Sequence, residues 1–235
     1  MSGVLRSPAA PVRVASVESV AARPIWPWVG VLTGIGGAVA TAVTDLHVDT
    51  GGAPTTAAIV NQVSQTNAHI GVVVGYLTVA LLLVLAAGWR GTVERKHPHS
   101  LAARVATSGF IASAGALMLG YGWKGALAIY LPDGNEPNSF DDAGLYVYYM
   151  LSDFGAYIGW LGVVVAAAAV AWMGLKDRHV PLWIGAFSCL PVLGLVLVTG
   201  ITGLPGFPAL MAAPWLVIAF AGLSLHNTFG DTASA

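Results

Sequence analysis

Long apolar runs separated by short polar breaks organise this chain. The clearest run covers residues 67–90, NAHIGVVVGYLTVALLLVLAAGWR, with no charged side chain between His69 and Trp89. About 20 residues rising roughly 1.5 Å each cover the roughly 30 Å hydrocarbon core of a bilayer, so this run predicts a membrane-spanning helix. Five more runs follow the same logic, at residues 25–44, 105–123, 147–174, 181–201 and 209–225. The breaks between them carry turn chemistry. YLPDGNEPNSFDD holds Pro132, Asp133-Gly134 and Pro137, KDRH at 176–179 is a tight turn, and GLPGFP at 203–208 reverses the chain. The predicted fold class is all-α, a polytopic transmembrane helical bundle of six spans over residues 24–228, with a polar leader at 1–23 and a polar tail at 229–235.

Small residues add detail to the spans. Ala38-Val39-Ala40 has the pattern of a signal-peptidase site, whereas Gly30-x-x-x-Gly34 is the spacing of closely packed membrane helices; the first run is therefore read as span one. The same spacing recurs at Gly71/Gly75 and Gly155/Gly159, predicting one tight bundle. Pro27-Trp28-Val29-Gly30 resembles Pro181-Leu182-Trp183-Ile184-Gly185, which either a duplicated helix pair or ordinary interface anchoring explains.

Composition excludes several classes. At 56% hydrophobic and 9% charged, the chain has too little polar material to clothe a soluble globule of 235 residues. Ten basic against eleven acidic residues leave no basic surface for nucleic acid. Cys189 is the single cysteine, so no internal disulfide forms. Charge also sets orientation: with the leader inside, nine of the ten Lys and Arg fall on the cytoplasmic side and only Lys124 falls outside. Both termini are then cytoplasmic, and the expected location is the bacterial plasma membrane. Trp26, Trp28, Trp89 and Trp183 are expected at the inner interface, with Trp123, Tyr130 and Tyr146 toward the outer one.

The order of spans, the Pro181-Leu182-Trp183 start of span five, and Trp215 and Gly222 in span six resemble the six-span membrane proteins common in high-GC bacteria. That resemblance is one of layout over the whole chain. It implies the bundle and carries no activity.

Candidate chemistry gathers at one depth. Counting about 20 residues from each inner anchor brings Asp45, His47, His69, Lys124 and Asp153 to the outer edge of the hydrocarbon. Tyr149 and Tyr157 lie four residues either side of Asp153 and share its helix face. The stripe reads either as a carboxylate held by phenols for a ligand or as a structural ion pair between Asp153 and Lys124. Asp45-x-His47-x-Asp49 has period two, so an extended backbone turns all three the same way; with His69 they form a candidate zinc or copper set. Solvated loop residues are the plainer alternative. His97, His99 and His226 belong to the opposite side.

Depth removes other functions. Haem needs facing histidines inside the bilayer, and a Schiff-base chromophore needs a lysine deep in a span. Ion-transport chemistry favours ionisable groups near the midplane, where only Pro191 and Pro214 interrupt the apolar runs. Two classes remain. One is a non-enzymatic accessory or scaffold subunit whose partners are the lipid bilayer and other membrane subunits or further copies. The other is an enzyme or metal-handling protein with a zinc or copper site at the outer face. They differ in whether the layer residues converge on one cavity.

Overall fold

A computed structural model describes residues 25–226; the leader at 1–23 and the tail at 229–235 lie outside the described residues. The described residues are helical, without a strand, and contain six helices long and apolar enough to cross a membrane. Span one is α1 (Trp26–Ala38) continued by a wide π turn over Val39–Val43. Span two is α2 (Gln65–Trp89), also continued by a π turn, Arg90–Glu94, and span three is α3 (Leu101–Tyr130). Span four is made of α4 (Asp142–Ile158) and α5 (Leu161–Leu175). Span five runs through α6 (Leu182–Phe187), α7 (Cys189–Gly194), a π turn at Leu195–Thr199 and α8 (Gly200–Thr202); span six is α9 (Phe207–Leu225).

Spans two, three and four begin earlier than the apolar runs. The cause is capping: Ser64 accepts from the Asn67 amide at 3.2 Å, Ser100 from Ala103 at 3.3 Å and Asp141 from Gly144 at 2.9 Å. Each cap satisfies an amide that has no partner within its helix, so the helix begins before the apolar run. Apolar length predicts the crossing, and polar caps decide the ends.

The three glycine pairs do sit at close approaches. A Cβ on Gly30 would meet the Phe220 ring, one on Gly34 the Ala213 carbonyl, one on Gly75 the Tyr121 ring and one on Gly159 the Leu117 side chain. Gly155 faces Gly120 backbone to backbone, and Gly109 with Gly162 and Gly174 with Gly185 repeat that device. Without a hydrophobic drive between helices in lipid, such contact surfaces hold the bundle by packing.

One interface expectation is corrected. Trp89 is fully buried rather than a headgroup anchor: its ring packs edge-on against Trp26 and Phe110, and its Nε1 donates to the Ala103 carbonyl at 3.1 Å. Trp89 lies near the end of α2, but Trp26, Phe110 and Phe220 surround it, and an indole with a buried acceptor is stable inside.

Span four breaks at Gly159 and Trp160. In the first turn of α5 the Val163 amide is shared between Trp160 O, at 3.0 Å, and Ser113 Oγ on α3, at 2.9 Å. Trp160 in turn donates to Thr41 Oγ1 at 3.1 Å, and Thr41 shares a 2.8 Å hydrogen bond with the Tyr121 hydroxyl. This buried polar knot ties spans one, three and four to a single register.

Candidate binding cleft at the loop end

The end of span one shapes the site. Its final turn is a π turn, with the Thr44 amide donating to Val39 O at 3.0 Å, and the chain then leaves the helix. The last carbonyls there lack further helical amides, and Ala40 O has only the Thr44 hydroxyl, at 2.9 Å, from its own span. Lys124, reaching across from α3 and 1% exposed, donates to Ala40 O at 2.8 Å and Thr44 O at 2.9 Å. A cation at a helix C-terminus meets both the unpaired carbonyls and the negative end of the helix dipole. Gly71 makes room, because a Cβ there would lie 3.0 Å from the lysine Cδ. Lys124 is thus a helix cap in trans. The direct Lys124–Asp153 ion pair expected from the sequence does not form; the two interact only through space, and a second carboxylate, Asp45, stands near them.

Beyond the cap, residues 45–50 run without regular secondary structure, and the period-two reading holds over its first steps. Leu46 turns into a small core with Ile59, Val60 and Leu145, while Asp45 and His47 face the other way. The Val48 amide donates to the Tyr149 hydroxyl at 3.3 Å, which anchors this strap on α4. His47 Nδ1 then lies 3.6 Å from Asp153 Oδ1, with the imidazole 61% exposed and the carboxylate 26%.

Asp45, His47, Asp153 and Tyr157 line one cleft of about 310 Å³ with the neighbouring Phe154 of α4 and an apolar wall of Leu204, Pro205 and Leu210. The wall comes from the 203–206 turn and the start of α9, where Gly203 adopts φ 72° with no Cβ to strain. Four of the candidate residues therefore converge. Tyr149 is buried beneath them as a positioning group, 3% exposed, and Lys124 stands behind as the cap.

The four-residue metal set does not assemble. Asp49 accepts from Gly51 N at 2.8 Å in a local turn, and His69 is exposed on α2, away from the cleft. Among the described residues, no three His, Cys, Asp or Glu side chains gather so as to hold a metal ion. Period two persists for a few residues, but a turn at 49–52 ends it, and the helix face of His69 is set by α2 packing. The apolar cleft wall was invisible in sequence because it comes from a turn about 50 residues beyond Asp153.

At the opposite end, His97 and His179 join the two short turns by stacking, with ring centroids 3.7 Å apart and planes 12° from parallel. Burial, then the neighbouring His179 and Lys96, hold the His97 imidazole below its ordinary range, opposed by Asp177.

Fold and site together define a multi-span helical membrane protein with an acidic cleft at one end of its bundle. No protein-family model, curated protein or solved structure matches the chain.

Proposed function

We propose that the protein is a ligand-binding protein of the bacterial plasma membrane, and that its outer cleft receives a small amphipathic organic cation. The observation that carries this reading is the convergence of Asp45, Asp153, His47 and Tyr157 opposite an apolar wall. Charge selects the ligand class. Two carboxylates face one buried lysine, which leaves one negative charge uncompensated while His47 is neutral. An ammonium group between Asp45 and Asp153 answers that charge, and an attached ring or short chain covers Phe154 and Leu210.

His47 Nδ1 lies 3.6 Å from Asp153 Oδ1, so an ammonium ligand competes with the imidazole for that carboxylate. The test is thermal unfolding of detergent-purified protein with benzylammonium, against benzyl alcohol as the neutral isostere. Benzylammonium at about one hundred times its dissociation constant should stabilise the protein by about 2.7 kcal/mol. Asp153→Asn should abolish the shift. Equal shifts from the two compounds, or an undiminished shift in the variant, would refute the reading.

A further inference from the structure

A second cavity lies at the other end of the bundle, on the lipid-facing side of α5 and α7. It has a volume of about 580 Å³ and is lined by Ala168, Ala171, Trp172, Cys189, Val192 and, at its rim, Lys176. Its origin is the broken course of span five. Gly174 and Gly185 bring α5 and α6 into backbone contact, after which Ser188 and Pro191 interrupt the helix. Pro191 has no amide to donate, and Ser188 is drawn toward α9, donating to Ile184 O at 2.7 Å and accepting from Trp215 Nε1 at 2.9 Å. Beyond the break, residues 195–202 bury no side chain. Small residues on α5 then leave a trough that no part of the described bundle fills.

We infer that this trough is a binding site for one anionic phospholipid, with an acyl chain lying between α5 and α7 and its phosphate on Lys176. Three features select that occupant. The trough is apolar along its length and faces the bilayer, where lipid chains are the surrounding solvent. From Ala168 to Lys176 the eight residues of helix rise roughly 12 Å, close to one leaflet's share of the hydrocarbon. At the headgroup end, the exposed Lys176 ammonium sits 4.2 Å from the Trp172 ring centroid, a cation with no salt bridge to a carboxylate among the described residues. A positive rim above an apolar slot is complementary to a phosphate above an acyl chain. A seated chain would support span five where its own helix is interrupted.

Cys189, the single cysteine of the chain, lines the trough and provides the probe. Protein labelled there with monobromobimane is reconstituted into vesicles containing phosphatidylglycerol or phosphatidylcholine with brominated acyl chains. Quenching should saturate and favour phosphatidylglycerol by about fivefold in apparent affinity, and Lys176→Gln should bring the two lipids to parity. Native mass spectrometry of the unlabelled protein gives an independent readout: phosphatidylglycerol should be retained over phosphatidylcholine, and Lys176→Gln should erase the difference. Equal quenching by both lipids in the labelled protein with Lys176 intact would mean ordinary bulk lipid and would overturn the site. Absence of quenching by either would mean that a protein segment covers the trough, which overturns it equally.

Discussion

Replacing Lys124 with Met tests the cap at the end of span one. The change removes two charge-assisted hydrogen bonds, to Ala40 O and Thr44 O. Bonds of that kind contribute about 1.5–3 kcal/mol each, so the gross loss is about 3–6 kcal/mol. Two effects reduce it. Ala40 O keeps the Thr44 hydroxyl at 2.9 Å, and the variant no longer buries an ammonium, whose desolvation costs several kcal/mol. A net destabilisation of about 2–3 kcal/mol follows, equivalent to roughly 4–12 °C in melting temperature for a chain of this size. Thermal unfolding of the purified protein in detergent reads this directly. The partner experiment adds Asp153→Asn. If Lys124 acts as a cap, the double variant should lose stability nearly additively, with a coupling below about 1 kcal/mol. Recovery of more than half of the Lys124→Met loss on adding Asp153→Asn would show that the lysine serves the carboxylate, and the capping argument would be wrong.

The glycine contacts should be equally selective. Gly120→Ala would place a Cβ 2.5 Å from the Gly155 carbonyl carbon and should cost at least about 2 kcal/mol, measured by chemical or thermal unfolding, whereas Gly115→Ala has nothing within 4 Å and should be neutral. At the end opposite the cleft, His97 is held below its ordinary range in the folded protein, so the unfolded chain binds its proton first as pH falls. Stability should therefore decline on acidification from about pH 7.5 to 5.5, beginning near the ordinary imidazole value of about 6.5, and His97→Phe should flatten that slope in a pH series of melting curves.

How much was legible in the sequence follows from the range of the forces involved. Membrane crossing depends on local apolar length, which is why all six spans appear in the apolar runs and in the helices alike. Glycine spacing is also local, and Gly30/Gly34, Gly71/Gly75 and Gly155/Gly159 all mark close approaches. Depth counting grouped Asp45, His47, His69, Lys124 and Asp153, and three of them, Asp45, His47 and Asp153, line one cleft, because helical rise is nearly constant.

Partner choice among residues at one depth is a different quantity. It depends on helix rotation, on where a helix breaks and on which backbone groups are left unpaired. The π turn at Val39–Val43 and the chain exit at Thr44 created carbonyls that outcompeted Asp153 for Lys124. A turn at residues 49–52 took Asp49 out of the strap, and the rotation of α2 left His69 outside the cleft. Trp89 went to the core because Trp26, Phe110 and Phe220 meet there from three other helices. The sequence alone determined that six runs are long and apolar enough to cross a membrane and which polar groups gather toward one end of them. Which of those groups share a cleft was decided only by tertiary packing, since an unsatisfied carbonyl or an open ring contact exists only once separate helices are in place.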